Sequence, residues 1–578
     1  MRSAGTVRTL GSLSTAARTS YEGLRGLLPR PGDLMAMRRN PRQDLVAGLT
    51  VAIVALPLAL AFGVASGLGA QAGLATAVVA GVLAALFGGS NIQVSGPTGA
   101  MTVVLIPVVH AHGATGVLMV GFLAGLVLVG MAFARLGRFV RYLPVSVIEG
   151  FTAGIAVVIS LQQVPSALGV TNATGDKVWA AAADAAVRFA HHPHFAAPAV
   201  ALGVMSIMLV GARWHPRVPY SLIGIAIATA AAHYSNLRLD TLGHLPSTLP
   251  APSLGFVDLG AISVLATSAL AIAALAALES LLSATVADAM TVNERHDPDR
   301  ELFGQGLANI VVPMFGGIPA TAAIARTAVN VRAGAGSRLA AVSHAVILLV
   351  LVFVAAPLVS SVPLAALAGV LFATCVRMVE ASSLIALVRS TPSDGLIVCL
   401  TFTVTVALDL VAAVGVGVAV AIVLALRNVA SSARIDEVTL DSDDHSEDER
   451  ALLAEHVVAY RIDGPLFFAA AHRLLLELPD LVEVDVVILR MSRVTTLDAT
   501  GAHVLGDTIT RLQRRGIPVL LSALAPAHEA VLTSIGVAGP LRAAGRILPD
   551  TPQAINAARQ LLADAVARTT GSQSHAIT

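Results

Sequence analysis

Residues 45–134 read LVAGLTVAIVALPLALAFGVASGLGAQAGLATAVVAGVLAALFGGSNIQVSGPTGA from Leu45 to Ala100 and remain apolar as far as Ala134. These 90 consecutive residues include no Asp, Glu, Lys or Arg. One membrane-spanning helix needs only about 20 apolar residues, so several spans must lie within this stretch. Breaks at Gly67–Gly73, Gly88–Pro97 and His110–Gly116 divide it into about four segments.

The composition of the whole chain is that of a polytopic membrane protein. Hydrophobic residues make up 56% of the 578 residues and charged residues only 13%, whereas a soluble protein carries about 25% charged residues. The mean hydropathy is +0.79. The formal net charge is +1, so the chain has no overall basic field, and we exclude nucleic acid as a partner.

Motifs for enzymatic chemistry are missing from the sequence. It has no Walker A, H-E-x-x-H or G-x-S-x-G pattern, so we expect neither ATP-driven transport nor an enzyme. Cys375 and Cys399 lack the spacing of metal ligands, and we expect no metal site and no cofactor. We interpret the clustered histidines as solvated loop residues; they are His110, His112, His191, His192 and His194.

Further apolar runs follow the first stretch. Backbone groups in hydrocarbon must be satisfied within each segment, so these runs predict helices. They are Val145–Leu161, Ala196–Gly211, Val218–Ala232, Leu259–Leu278, Leu339–Pro357, Pro363–Cys375, Leu396–Leu408 and Val411–Leu426. Arginines concentrate in the even-numbered loops, as expected for cytoplasmic loops. The pattern favours fourteen segments with both termini in the cytoplasm. We expect the protein to lie in the cell membrane.

The composition changes after Arg427 to an acidic stretch, RIDEVTLDSDDHSEDERALLAEH, which cannot lie in a membrane. Beyond it, strand-like and helix-like segments alternate, which predicts a small α/β domain with a parallel or mixed sheet. The predicted divisions are a cytoplasmic leader (1–42), a transmembrane domain (43–430), an acidic linker (431–453), a cytoplasmic α/β domain (454–568) and a tail (569–578).

Two apolar segments are interrupted in a similar way. One reads FGGSNIQVSGPTGAMTVV from Phe87, and the other reads MFGGIPATAAIARTAVNVRAG from Met314. Each has FGG, then a proline that we expect in the first turn of a helix, then a threonine. Broken membrane helices present free backbone N–H groups to an anion. The pattern favours an inverted repeat around an anion site; two unrelated helix kinks are the alternative.

Charged residues inside apolar segments are costly and mark candidate sites. Glu279 lies in SALAIAALAALESLLSATVAD, and Ser283 shares its helical face. Glu279 would carry a coupling proton, ligate Na⁺ or make a helix–helix hydrogen bond. Arg326 would offset the charge of a bound anion or extend to the membrane interface. For Glu149 and Asp409, near segment ends, we favour a structural role.

The quoted segments resemble the sulfate permease family of anion transporters. The resemblance rests on residues 48–99, on ALESLLSATVAD, and on ELFGQGLANIVVPMFGGIPATAAIARTAVNVRAG. The tail, with GPLFFAAAHRL and TTLDATGAHVL, resembles the STAS domain that follows such transporters. The family implies fourteen segments in two inverted repeats of seven, arranged as core and gate domains. It also implies elevator-like transport in a homodimer embedded in lipid.

The resemblance implies an anion site between the third and tenth segments. Its substrate-binding residues would be Phe62, Thr98, Gly99, Pro319, Ala320, Thr321 and Arg326. Glu279 and Ser283 would serve the coupling ion, with H⁺ favoured over Na⁺. The resemblance is closer to bacterial members that move C4-dicarboxylates or sulfate with protons. Relatives that carry bicarbonate with Na⁺ have aspartate at the Glu279 position, threonine at the Ser283 position and no arginine in the tenth segment.

The expected function is secondary transport of a small oxyanion, either sulfate or a C4-dicarboxylate. Two alternatives remain: a Na⁺-coupled bicarbonate symporter, and a membrane-anchored anion sensor that signals through the tail. Thr500 occupies the strand-to-helix turn that carries a phosphorylated residue in anti-sigma-factor antagonists, so it is a regulatory candidate or a plain helix cap. A cytoplasmic protein partner of the tail is a further expectation.

Overall fold

The structure is a computed structural model of the chain, and it divides into two compact units, Met1–Ala419 and Val420–Thr578. In the described residues the first unit is helical and the second contains a five-stranded sheet. The described residues are 26–142, 144–170, 173–175, 177–215, 218–235, 237–243, 248–291, 295–408, 410–438, 457–468 and 484–574.

Helices account for most of the first unit. Eight stretches of the described residues are long and apolar enough to cross a membrane, and three shorter apolar helices accompany them. The helices are α1 (Pro31–Ala36), α2 (Pro41–Ala65), α3 (Ala70–Phe87), α4 (Gly99–Phe133), α5 (Val145–Leu168), α6 (Val178–His191), α7 (Ala196–Trp214), α8 (Tyr220–Tyr234), α9 (Ile262–Ala289), α10 (Pro298–Val311), α11 (Ile324–Arg332), α12 (Arg338–Ser360), α13 (Leu364–Met378), α14 (Ala381–Ser390), α15 (Pro392–Ala407) and α16 (Leu410–Ser431).

The breaks expected in residues 45–134 are present. Helix α2 ends at Ala65, and α3 ends at Phe87, directly before the glycine pair. Helix α4 is two helices joined at Gly113, whose φ of 66° and ψ of −164° are not helical. Glycine adopts such a backbone conformation without the steric penalty of a side chain. The four segments predicted from the sequence are therefore confirmed, with the third and fourth meeting at Gly113.

Two short strands pair with each other in the first unit. Strand β1 (Ser95–Gly96) follows α3, and β2 (Thr321–Ala322) precedes α11. They pair antiparallel, with Ser95 opposite Ala322 and Gly96 opposite Thr321. Backbone groups at membrane depth must find partners within the protein. The two interrupted segments therefore satisfy each other, and corresponding positions of the two halves meet.

The helices of the first unit pack as two groups. In one group, α4 packs against α9 and α10, while α12 packs against α2 and α3. In the other, α5 packs against α13 and α15, and α7 packs against α8 and α13. The fold class predicted from the sequence, a helical membrane domain with core and gate parts, is confirmed.

Helix α6 was not predicted, because its sequence is too short and too polar for a membrane span. It reads VWAAAADAAVRFAH, with Ala182 and Ala185 buried and Trp179 exposed. Apolar residues on one face are typical of a helix lying on a surface. The ten-residue helix α14 was also not predicted from the sequence. Neither helix changes the assignment of the membrane spans.

The second unit is a mixed sheet with helices, as the sequence predicted. Strand order is β3-β4-β5-β6-β7, with β3 antiparallel to β4 and all other neighbours parallel. The strands are β3 (Arg434–Val438), β4 (Val457–Leu466), β5 (Val486–Leu497), β6 (Val519–Ser522) and β7 (Ile547–Leu548). The helices are α17 (Ala499–Arg514), α18 (Pro526–Ser534), α19 (Ala538–Ala543) and α20 (Thr551–Ser574).

Regular structure in the second unit extends into the ranges that the sequence assigned to a linker and a tail. Strand β3 lies in the range that the sequence assigned to the acidic linker, and most of that linker lies outside the described residues. The helix expected after Phe468 also lies outside them, in residues 469–483. Helix α20 extends through most of the range assigned to the tail.

Candidate functional site

Thr98 and Glu279 form a direct contact between two core helices. Thr98 is the N-cap residue of α4, but its hydroxyl makes no cap hydrogen bond. Instead, Thr98 Oγ1 donates to Glu279 Oε2 at 2.9 Å. The side chain that would ordinarily satisfy a helix N-terminus is thus directed to a carboxyl group.

Arg326 connects the two interrupted segments. It is the third residue of α11, is 2% exposed, and donates from Nη2 to the Pro97 carbonyl oxygen at 3.0 Å. Its Nη1 has no hydrogen-bond partner among the described residues. A Cβ on Gly96 would lie 2.5 Å from that Nη1 atom, so a larger residue at this position would displace the guanidinium.

The N-termini of α4 and α11 are both without side-chain caps. The N-cap residues are Thr98 and Ala323, and both have extended backbone conformations. The first backbone N–H groups of a helix have no partner within that helix and carry the positive end of its dipole. Two such ends follow directly from the paired strands, which makes this region chemically suited to an anion.

Phe62 and Gly99 lie side by side, and a residue of the second helix group adjoins them. A Cβ on Gly99 would lie 3.0 Å from Phe62 Cε1 and 2.2 Å from Ile159 Cδ1. Phe62 and Ile159 are both buried. Ile159 of α5 was not predicted, because nothing in an apolar helix shows which isoleucine faces another helix. Its position indicates an apolar contact between gate and core at the site.

The hydroxyl of Ser283 is engaged by α11. Ser283 Oγ donates to Thr327 Oγ1 at 3.1 Å, and the same Thr327 oxygen accepts from the Val94 backbone N–H at 3.1 Å. Ser283 lies one turn from Glu279 on the same face of α9. These two contacts join α9, α11 and the residue before β1 by hydrogen bonds.

Pro319, Ala320 and Thr321 lie along β2 and the chain before it. Pro319 packs toward Gly121, where a Cβ would lie 3.2 Å from its Cγ. Thr321 Oγ1 contacts Ser280 Oγ at 2.8 Å. Pro319 therefore contacts α4, and Thr321 contacts α9. The residues that the structure brings together at the site are Phe62, Thr98, Gly99, Glu279 and Arg326.

The prediction that a proline lies in the first turn of each half-helix is wrong. Pro97 precedes the N-cap residue Thr98, so it lies outside α4. In the second half, β2 and an extended Ala323 separate Pro319 from α11. The physical reason is the strand pairing, because it keeps the backbone extended beyond each proline before the helix can begin.

A polar face on α10 was missed by sequence reasoning. Glu301, Gln305 and Asn309 are four residues apart and all buried. Glu301 Oε2 accepts from Gly89 N at 2.9 Å, and Gln305 Nε2 donates to Ser95 Oγ at 2.6 Å. The spacing alone indicates one helical face. The partners could not be predicted, because they are far away in sequence.

Asn309 satisfies both backbone groups of one residue near β2. Its Oδ1 accepts from Ala320 N at 2.8 Å, and its Nδ2 donates to Ala320 O at 2.9 Å. Buried backbone groups outside regular structure need such partners. The polar face of α10 thus holds both interrupted segments from behind.

Asp33 of α1 joins the ends of two core helices. It accepts from Arg300 Nη2 at 2.7 Å and lies 3.6 Å from Arg338 Nη2. Partial burial raises the pKa of the Asp33 carboxyl, but the hydrogen bonds from Arg300 and the Arg30 backbone, with the charges of both arginines, lower the pKa below its ordinary value. The short helix α1 is therefore fixed by its charge to the core.

Two further acidic residues were considered from the sequence. Glu149 Oε1 accepts from Ser383 Oγ at 3.1 Å, which links α5 to α14 away from the residues around Arg326. Asp409 lies outside the described residues.

Thr500 belongs to the second unit and lies in the first turn of α17. The helix cap is Asp498, whose Oδ1 accepts from Gly501 N at 2.7 Å. Thr500 is exposed beside that cap. The alternative interpretation of Thr500 as the helix cap is therefore wrong, because Asp498 supplies the accepting oxygen.

Comparisons with known proteins identify both units. The sulfate permease family matches residues 42–401, and the STAS domain matches residues 451–542. YvdB of Bacillus subtilis (strain 168), named for sulfate transport, is 36% identical over 86% of this chain and 94% of its own length. The bicarbonate transporter BicA of Picosynechococcus sp. is 32% identical over 82% of this chain and 86% of its own.

Solved structures give the same fold. The structure of SLC26A9 has a TM-score of 0.79 and covers 96% of this chain and 95% of its own, at 17% sequence identity. That level of identity supports the fold alone. Together with the family match over most of the chain, it establishes a multi-pass membrane transport protein and not an enzyme. The chain belongs to the sulfate permease family of anion transporters and carries a C-terminal STAS domain.

Proposed function

We propose that this chain is a secondary active transporter that moves a small oxyanion together with protons. The observation that carries the proposal is the hydrogen bond from Thr98 to Glu279 beside the guanidinium of Arg326. The anion would bind between the N-termini of α4 and α11, with Phe62 and Gly99 forming its wall. Pro319, Ala320 and Thr321 would position β2.

The charges favour a proton as the coupling ion. An ionised Glu279 would cancel the positive charge of Arg326 and repel an incoming anion at short range. A protonated Glu279 leaves the guanidinium available for the anion and still forms a hydrogen bond with the Thr98 hydroxyl. The proton and the anion would therefore bind together and leave together. Ser283, one turn along α9, would support the coupling residue.

Sulfate or a C4-dicarboxylate fits this arrangement best. A guanidinium offers two parallel N–H donors to a tetrahedral oxyanion or a carboxylate, and Arg326 Nη1 has no other partner among the described residues. Helix N-termini contribute further donors without adding a full charge. The similarity to YvdB supports sulfate among these substrates.

For the alternative, a Na⁺-coupled bicarbonate symporter, one observation supports bicarbonate as the substrate: the 32% identity to the bicarbonate transporter BicA over 82% of this chain. The guanidinium of Arg326 offsets one negative charge by itself. It therefore favours a substrate with a greater negative charge than bicarbonate. Uptake that requires Na⁺ and is saturated by bicarbonate would favour the alternative.

Movement of the site across the membrane would follow an elevator-type alternating-access mechanism. The core helices would move as one body against the gate, because α9, α10 and α11 are joined by buried hydrogen bonds around β1 and β2. We further propose a homodimer in the cell membrane, with both termini in the cytoplasm and lipid around the spans. Residues 43–430 would form the transport domain and 454–568 the STAS domain.

Thr500 would be a regulatory site of the STAS domain. A phosphate there would lie at the N-terminus of α17, where the helix dipole stabilises negative charge, and would face a cytoplasmic protein partner. Transport by Thr500→Glu and Thr500→Ala chains would be compared in the same vesicles. Identical transport rates for both variants and the wild type would remove Thr500 from regulation.

Flux into proteoliposomes tests the proposed function. The purified full chain would be reconstituted, and uptake of radiolabelled sulfate and succinate measured with and without a pH gradient and with and without Na⁺. We expect accumulation that requires a pH gradient, with the lower pH outside the vesicles, and that needs no Na⁺. Anion binding without any flux would instead favour the sensor hypothesis.

A further inference from the structure

A buried histidine lies behind β1 and has no hydrogen-bond partner in the part of the chain that the structure describes. His344 of α12 is 0% exposed, and neither ring nitrogen has a partner among the described residues. The Ala341 carbonyl, one turn earlier on α12, is near the ring but does not meet hydrogen-bond geometry. Buried polar groups in native proteins are nearly always paired. An unpaired imidazole at this depth therefore requires an explanation.

Distances from a Cβ built on Gly81 and on Gly96 show where His344 lies relative to the anion site. A Cβ on Gly81 would lie 3.8 Å from both His344 Nδ1 and the Ser95 carbonyl oxygen. A Cβ on Gly96, the next residue of β1, would lie 2.5 Å from Arg326 Nη1 and 3.4 Å from Ala77 Cα. Ala77 and Gly81 are about one turn apart on α3. His344 and Arg326 thus flank β1 at successive turns.

Arg326 is a charged group close enough to His344 for an electrostatic interaction. Helix α12 packs against α1, α2 and α3, and α3 contains no titratable residue. Asp44 of α2 accepts from the backbone of Ser337, and Asp33 of α1 is paired with Arg300. The charged groups on these elements and on α12 itself are Asp33, Arg42, Asp44 and Arg338.

We propose that His344 is a second proton-binding residue of the transport domain, coupled to the bound anion through Arg326. This inference rests on the proposed function. When Glu279 is protonated or replaced by glutamine and no anion is bound, the guanidinium opposes a second positive charge in a region of low dielectric. A bound oxyanion offsets that charge, so a proton from solution adds to a free ring nitrogen of His344. By thermodynamic linkage, the proton then strengthens anion binding by the same factor.

Proton uptake on anion binding tests this inference. Sulfate would be titrated into the purified full chain by calorimetry in buffers of different ionisation enthalpy, between pH 5 and 8, where an ordinary histidine changes charge. Each linked proton changes the apparent affinity by up to about tenfold per pH unit. We expect Glu279→Gln to bind sulfate and still take up protons, and Glu279→Gln combined with His344→Gln to take up none.

Two matched variants give the controls. His344→Gln and His344→Asn both lack a titratable ring, and each should reduce the pH dependence of sulfate affinity while retaining binding at pH 8. His194→Gln changes an exposed loop histidine and should behave as the wild type.

The outcomes separate the two proposals. Sulfate binding by Glu279→Gln without proton uptake overturns the inference, whether or not the His344 variants fold, and leaves the proposed function intact. Unchanged proton uptake by a folded His344→Gln chain overturns it equally. A wild-type chain that binds neither sulfate nor succinate in the same titration contradicts the proposed function itself, and the inference with it.

Discussion

Arg326 Nη2 lies 3.0 Å from the carbonyl oxygen of Pro97, so a side chain of one half-helix is bonded to the break that precedes the other. Thr98, the next residue, donates to Glu279 of α9. One cation, one acid and two helix N-termini are therefore joined by two hydrogen bonds. This relationship explains why each half of the chain needs an interrupted segment at the same place.

Replacement of Glu279 by glutamine is expected to abolish proton-driven accumulation. The amide retains an oxygen that can accept from Thr98, so the fold should remain, but it cannot carry a proton. Uptake of radiolabelled substrate under a pH gradient would be measured beside counterflow at equal pH. Counterflow should persist. Glu380→Gln, an exposed acid at the start of α14, is the control. Unchanged accumulation by Glu279→Gln would remove this residue from coupling.

Replacement of Arg326 by alanine is expected to weaken anion affinity. A hydrogen bond to a charged group contributes about 1.5–3 kcal/mol, which corresponds to roughly tenfold to 150-fold in affinity. Lysine should restore part of the loss, because it keeps the charge without the paired donors. Arg332→Ala, an exposed arginine on the same helix, is the control in equilibrium binding. An affinity equal to the wild type would reduce Arg326 to a structural residue.

Loss of the Asn309 side chain is expected to destabilise the core. Asn309→Leu leaves the N–H and C=O groups of Ala320 unsatisfied, at about 1–3 kcal/mol for each buried group. Asn309→Asp keeps an acceptor for the N–H group, but its second carboxyl oxygen faces the Ala320 carbonyl oxygen, so this variant should also be less stable than the wild type. Thermal unfolding of the purified chain measures each variant against the wild type. Equal stability of all three would show that Ala320 is satisfied in another way.

The ion pair of Asp33 predicts a loss of stability in acid. Because its neighbours lower the pKa of Asp33, the carboxylate stabilises the folded chain above the unfolded pKa of about 4. This contribution should disappear as the pH falls through the lower pKa of the folded state. Asp33→Asn should be less stable at pH 7 and should lose less stability between pH 5 and 2. Parallel curves for both chains would contradict the ion pair.

Much of the fold was predictable from the sequence, because apolar length and glycine breaks are local properties. The ends of α3 and the kink at Gly113 follow directly from them. The strand pairing of Ser95 with Ala322 and the contact of Ile159 with Gly99 could not be predicted, since they join residues far apart in the chain. The same limit applies to Asn309: its burial follows from an apolar context, but its partner does not.

The charged residues of the site were predictable from the sequence, but their contacts were not. Glu279 and Arg326 are recognisable because charge is costly in an apolar segment. Their relationship through Thr98 and Pro97 depends on tertiary packing. His344 gave no signal, because a single histidine in an apolar helix resembles any satisfied core residue.

The position of a bound anion tests whether the N-termini of α4 and α11 form the substrate site. Diffraction at the selenium edge from crystals of the full chain grown with selenate, an analogue of sulfate, would locate the anion without any mutation. We expect an anomalous peak between the first residues of α4 and α11, within hydrogen-bond distance of the Arg326 guanidinium. A selenate bound at any other place in the chain, with this position empty, would contradict it.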